Sequence, residues 1–137
     1  MRTKAAVLLI VAAITLVPTH ASGQADTCFG QEPTLVFGPG QEGNGTSGDD
    51  VIISERFMTN GLGGHDRICG HGNDPQEFSG GPGRDRISGK AGEDSIAGNR
   101  GNDRLYGGSG EDSADGGKGT DRCWTEQMRR CEFSEPG

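Results

Sequence analysis

The sequence predicts an all-β fold, a parallel β-solenoid, and three observations carry that expectation. Between Gly80 and Trp124 one nine-residue unit is written five times without a gap: GGPGRDRIS, GKAGEDSIA, GNRGNDRLY, GGSGEDSAD and GGKGTDRCW. Gly at position 1, Gly at position 4 and Asp at position 6 never vary, and position 8 holds Ile87, Ile96, Leu105, Ala114 and Cys123, all apolar. Glycine recurs too often, 26 times in 137 residues, for any long helix. Gly-rich polar sequence is commonly a disordered linker. A linker has no reason to keep Asp at every ninth residue with an apolar residue two later, whereas a stack of repeated turns does.

The period dictates the chemistry. A solenoid turn needs two strands and two loops, so two units make one turn of 18 residues. Residues 18 apart then stack at the spacing of neighbouring strands, about 4.8 Å. Asp85, Asp103 and Asp121 therefore form one column, and Asp94 with Asp112 a second on the opposite edge. Carboxylates so close disfavour one another's ionisation, and a divalent cation between each stacked pair reverses that repulsion. Calcium suits such a site, because it accepts six to eight oxygen ligands in flexible geometry, backbone carbonyls included. The loop glycines allow carbonyls to turn inward, and no Cys/His cluster favours zinc. About three principal sites are expected, at Asp85/Asp103, Asp94/Asp112 and Asp103/Asp121, with one to three weaker ones upstream.

The unit resembles the RTX, or hemolysin-type, calcium-binding nonapeptide GGxGxDxUx, in which U is large and apolar; the match covers residues 80–124. The resemblance implies a right-handed parallel β-roll with calcium in the inter-strand loops. It assigns a carboxylate to each position-6 Asp and carbonyl ligands to the loop glycines Gly83, Gly92, Gly101, Gly110 and Gly119. Lys90 and Asn99 at position 2, and Ala114 and Cys123 at position 8, depart from the pattern. The whole layout, roughly residues 26–132, resembles small secreted bacterial calcium-binding proteins built from such repeats.

Upstream the pattern degrades. GTSGDDVII (45–53) places Asp50 at position 6, GLGGHDRIC (61–69) places Asp66 there, and CGHGNDPQE (69–77) places Asp74 there with Gln76 at position 8. Successive aspartates step by 16, 8 and 11 residues before the steps of 9 begin. Pro75–Ser79 is expected to be a bulged strand or a small excursion. Asp66, Asp74 and Asp50 are the candidates for the weaker calcium sites.

The ends bound the domain. Two basic residues within Met1–Lys4, an apolar run from Ala5 to Val17 and small residues from Ala21 to Ala25 form a secretory signal over 1–25, too short to span a membrane. An N-terminal cap segment over 26–44, the roll over 45–124 (degenerate over 45–77, regular over 80–124) and a C-terminal cap and tail over 125–137 follow. Secretion makes disulfides the expected state of Cys28, Cys69, Cys123 and Cys131. Three connectivities are possible. The preferred one joins Cys123 to Cys131 over one open end and Cys28 to Cys69 over the other, since terminal strands expose unpaired backbone. Trp124–Glu132 is the one segment expected to be able to form a short helical turn.

Other function classes fit poorly. The formal net charge is −7, and loss of Arg2 and Lys4 with the signal takes it to −9. Such a chain disfavours nucleic acid and anionic membranes. No HExxH is present, Gly107–Glu111 fails GxSxG at its last position, and no glycine loop ends in GK[ST]. No enzyme is expected. Arg86, Arg104 and Arg122, 18 apart, should stack as a ladder, read first as charge balance and second as a docking strip. The expected role is that of a secreted calcium-binding protein, with an extracellular adhesion or interaction module as the alternative. The sequence identifies no protein or polysaccharide partner.

Overall fold

A computed structural model describes residues 27–38 and 43–132. The expected leader, the tail from residue 133 and part of the N-terminal cap lie outside the described residues. Eleven strands and no helix make up the described chain. Strands β1 (Leu35–Phe37), β2 (Val51–Ser54), β4 (Arg67–Gly70), β6 (Arg86–Ala91), β8 (Arg104–Ser109) and β10 (Arg122–Trp124) form one sheet in that order. Strands β3 (Met58–Asn60), β5 (Glu77–Pro82), β7 (Ser95–Arg100), β9 (Ser113–Lys118) and β11 (Gln127–Arg129) form the other. Every pairing between these strands is parallel and, except for β1 with β2, joins strands two apart in sequence, so from β2 onward the chain winds alternately through both sheets as a β-solenoid.

Strand alternation puts the apolar position-8 residue inward. Leu35, Ile52, Ile68, Ile87, Leu105 and Cys123 stand in register across the first sheet, and Thr59, Phe78, Ile96, Ala114 and Met128 across the second. Apart from Met128, which is exposed at the C-terminal edge, the two ladders meet in one thin core, with Ile68, Ile87 and Leu105 fully buried. Thr59 is the polar member of its ladder, and its hydroxyl donates to Ser54 Oγ at 2.7 Å.

Three expectations need correction. First, Phe78 rather than Gln76 pairs with Ile96 and fills the core, so the one residue in excess of an 18-residue turn lies between β4 and β5, not within β5. Second, Trp124–Glu132 forms no helical turn: Gln127–Arg129 pairs with β9, because the exposed sheet edge offers ladder hydrogen bonds that an isolated turn cannot. Third, Cys28 does bond to Cys69, but on the outer face of the six-stranded sheet rather than over its end. There Cys28 is buried against Val51, Ile53 and Cys69, all outward-facing. The N-terminal end is covered instead by β1, paired with β2. At the other end Cys123–Cys131 forms as expected, and Cys131 packs against the core.

Candidate metal centre

Six of the loops each deliver one aspartate to the inside edge of the roll. Asp66, Asp85, Asp94, Asp103, Asp112 and Asp121 are all buried, none more than 3 % exposed. One carboxylate oxygen of each joins successive turns. Asp50 N–H donates to Asp66 Oδ1 at 2.9 Å, Asp66 N–H to Asp85 at 2.9 Å, Asp85 N–H to Asp103 at 2.8 Å and Asp103 N–H to Asp121 at 2.8 Å. On the opposite edge Gln76 N–H donates to Asp94 Oδ1 and Asp94 N–H to Asp112 Oδ1, both at 2.9 Å. Both predicted columns are therefore present, and the first extends back through Asp66 to Asp50 despite its steps of 19 and 16 residues.

The second oxygen has no such partner. Oδ2 of all six aspartates is buried without a hydrogen bond. Buried polar atoms are normally satisfied, so six orphans in register demand an explanation. Burial pushes the Asp85 carboxyl up to about 7, against the lowering effect of the Asp66 amide and with help from the charges of Asp103 and Asp66. Burial likewise raises Asp66 and Asp103 to about 6, and raises Asp94.

The surroundings of Oδ2 supply acceptors, not donors. A Cβ built on Gly61 would meet Asp66 Oδ2 and, at 2.6 Å, the carbonyl oxygen of Gly80. On Gly98 it would meet Asp103 Oδ2 and, again at 2.6 Å, the carbonyl of Gly116. Carboxylate and carbonyl oxygens thus converge where position 1 must be glycine. Among the described residues no three His, Cys, Asp or Glu side chains converge, so the donor set is stacked carboxylates plus backbone. All four cysteines are in disulfides and offer no thiolate. A hard, oxygen-seeking cation fits this set.

Residues 79–114 and 98–126 match the family of the RTX calcium-binding nonapeptide repeat (4 copies). This segment is made of RTX repeats. Neither a curated protein nor a solved structure matches the chain.

The other expected ligands fall out differently. Within the RTX loops, Gly83, Gly92, Gly101, Gly110 and Gly119 all have φ between +124° and +151°. A Cβ on Gly101 would collide with the Gly83 carbonyl one turn earlier, so position 4 needs glycine for both conformation and stacking. Asp50 opens its column with a satisfied Oδ2, which accepts from Thr46 N–H at 2.7 Å and Thr46 Oγ1 at 2.9 Å. Asp74 is exposed and stands outside the column: Gln76, 18 residues before Asp94, occupies that place. Its side-chain amide donates to the carbonyls of Ser54 and Arg56, both at 3.1 Å.

Two residues of the columns carry no repeat signature. Gln76 would emerge by counting back 18 from Asp94. Glu126 is harder to see, because the last half-turn is four residues short and pairs Gln127 with Ser113. Its longer side chain reaches in, and Oε2 accepts from Asp112 N–H at 3.0 Å, which holds the Glu126 carboxyl below its ordinary range.

Proposed function

We propose that the protein is a secreted calcium-binding module whose roll is completed by calcium ions held between turns. The observation that carries this reading is the set of six buried, partnerless Oδ2 atoms beside backbone carbonyls, five of them inside repeats that match a calcium-binding family. When bound, calcium would supply the positive charge and ligand demand that those oxygens lack. Asp66, Asp85, Asp103 and Asp121 would serve one edge, and Asp94, Asp112 and Glu126 the other. Metal binding then contributes directly to folding free energy, which suits a chain with so thin a core.

Two disulfides fit an oxidising destination, and the apolar N-terminal segment fits export. The role is one of binding rather than catalysis: every buried carboxylate of the repeats already belongs to the stacked columns. Among the described residues no helix is long and apolar enough to cross a membrane. The test is equilibrium calcium binding by the oxidised, leader-free protein. About three or more calcium ions bound per chain, with magnesium failing to compete, supports the reading. Binding of one ion or none rejects it.

A further inference from the structure

The outer face of the six-stranded sheet carries a single row of guanidinium groups. Parallel register sets Arg67 beside Arg86, Arg86 beside Arg104 and Arg104 beside Arg122. Neighbours therefore stand about 4.8 Å apart. The flanking outward positions are Ile53, Cys69, Ser88, Tyr106 and Trp124, with no carboxylate among them. On the five-stranded sheet the equivalent outward positions include Glu77 and Asp115. An acidic chain of net charge −7 thus presents a row of basic side chains on this face.

Like charges directly opposite on adjacent strands are destabilising, and neither ion pair among the described residues involves Arg67, Arg86 or Arg104. At Arg86 the row is instead ordered by an aromatic ring. Arg86 lies 4.3 Å over the Phe29 ring, Phe29 tilts against Tyr106 at 5.8 Å, and Tyr106 stacks on Trp124 at 4.5 Å. Beside it, Arg84, Asn102, Arg104 and Thr120, with Asp103 and Arg122, line a cleft of about 220 Å³.

We propose that this face binds a single strand of acidic polysaccharide, with Arg86 and Arg104 taking its carboxylate or sulfate groups and Tyr106 and Trp124 flanking its sugar rings. Planar guanidinium forks match such oxyanions bidentately. A row one residue wide suits one linear chain of charges better than the paired backbones of a duplex or a plane of lipid headgroups. The proposal requires a folded roll, but not any particular cation within it.

The test is calorimetric titration of the oxidised protein, in calcium, with chondroitin sulfate, neutral dextran and single-stranded DNA. Chondroitin sulfate should bind, dextran should not, and DNA should bind at least tenfold more weakly. Replacing Arg86 or Arg104 by Ser should weaken binding about tenfold each, while Lys at both positions should restore only part. Circular dichroism of each sample separates this reading from the calcium one, and a chain folded without calcium is titrated in EDTA. A folded protein that ignores chondroitin sulfate, binds DNA equally well, or binds unchanged as Arg86→Ser/Arg104→Ser overturns the proposal.

Discussion

The amide of Asp85 donates to Oδ1 of Asp103 at 2.8 Å, while Oδ2 of that same Asp103 is buried with no donor. One carboxylate therefore has two separable tasks: it ties two turns together, and it offers a charge that the protein itself leaves unbalanced. Asp103→Asn separates them, since the amide oxygen can still accept while the charge is gone. Its calcium stoichiometry should fall, because Asp103 belongs to two stacked pairs, whereas its stability in EDTA should equal or exceed wild type. Asp103→Ala should lose both properties, with a stability cost of about 1–3 kcal/mol from the unsatisfied Asp85 amide. Calcium binding and denaturant unfolding in EDTA distinguish the two variants.

Acidity should act in opposite senses with and without calcium. The carboxyls of Asp66, Asp85 and Asp103 are raised from an ordinary value of 3.8 to about 6, about 7 and about 6, chiefly by burial. A group whose folded-state pKa is raised favours the fold fully below its unfolded value, and that contribution is lost as pH rises through the folded value. The calcium-free roll should therefore be most stable near pH 4 and weaken progressively towards pH 7 and above. Calcium binding needs the ionised carboxylates and should strengthen over the same interval. Thermal unfolding between pH 4 and 8, in EDTA and in calcium, reads both trends.

Position 2 of the repeat is strained where glycine is missing. Lys90 and Asn99 both have φ of +78°, while Gly81, Gly108 and Gly117 fill the equivalent place with φ between +99° and +115°. Asn99 tolerates this conformation and donates from Nδ2 to Ser79 Oγ at 3.0 Å. Lys90 has no comparable compensation. Lys90→Gly should stabilise the protein by about 0.5–1 kcal/mol, and Asn99→Gly should change little. Denaturant midpoints measured in saturating calcium check the contrast.

The disulfides should differ in weight. Cys28–Cys69 closes a separation of 41 residues and Cys123–Cys131 one of 8. Loop-closure entropy values these at about 4 and about 2.5 kcal/mol. Paired Cys→Ser variants, compared by unfolding in calcium, should rank in that order. Loss of Cys123–Cys131 should also lower calcium binding at the C-terminal end, because it frees the segment that brings Glu126 to Asp112.

Much of this arrangement is readable in the sequence, since the period of nine fixes both the core ladders and the aspartate columns. Asp85 to Asp121 needed only the 18-residue turn. Asp74 was misplaced because it follows Gly72 at the repeat spacing, yet register is set by core filling: Phe78 buries a ring that Gln76 cannot replace, which moves position 6 to Gln76. Glu126 was hidden because a shortened half-turn breaks the period while a longer side chain compensates for it. The outer-face location of Cys28–Cys69 follows from strand alternation, since Cys69 comes directly after the inward Ile68. The position-1 glycines are legible as an invariant column, but their cause, a carboxylate oxygen where a Cβ would sit, arises only when the turns stack in the fold.

The most direct test of the central claim is a far-UV circular dichroism titration of the oxidised, leader-free protein with calcium, magnesium serving as control. A cooperative gain of β signal with calcium alone is the predicted result. A spectrum already folded in EDTA at neutral pH and unmoved by calcium, or one still disordered in millimolar calcium, would contradict it.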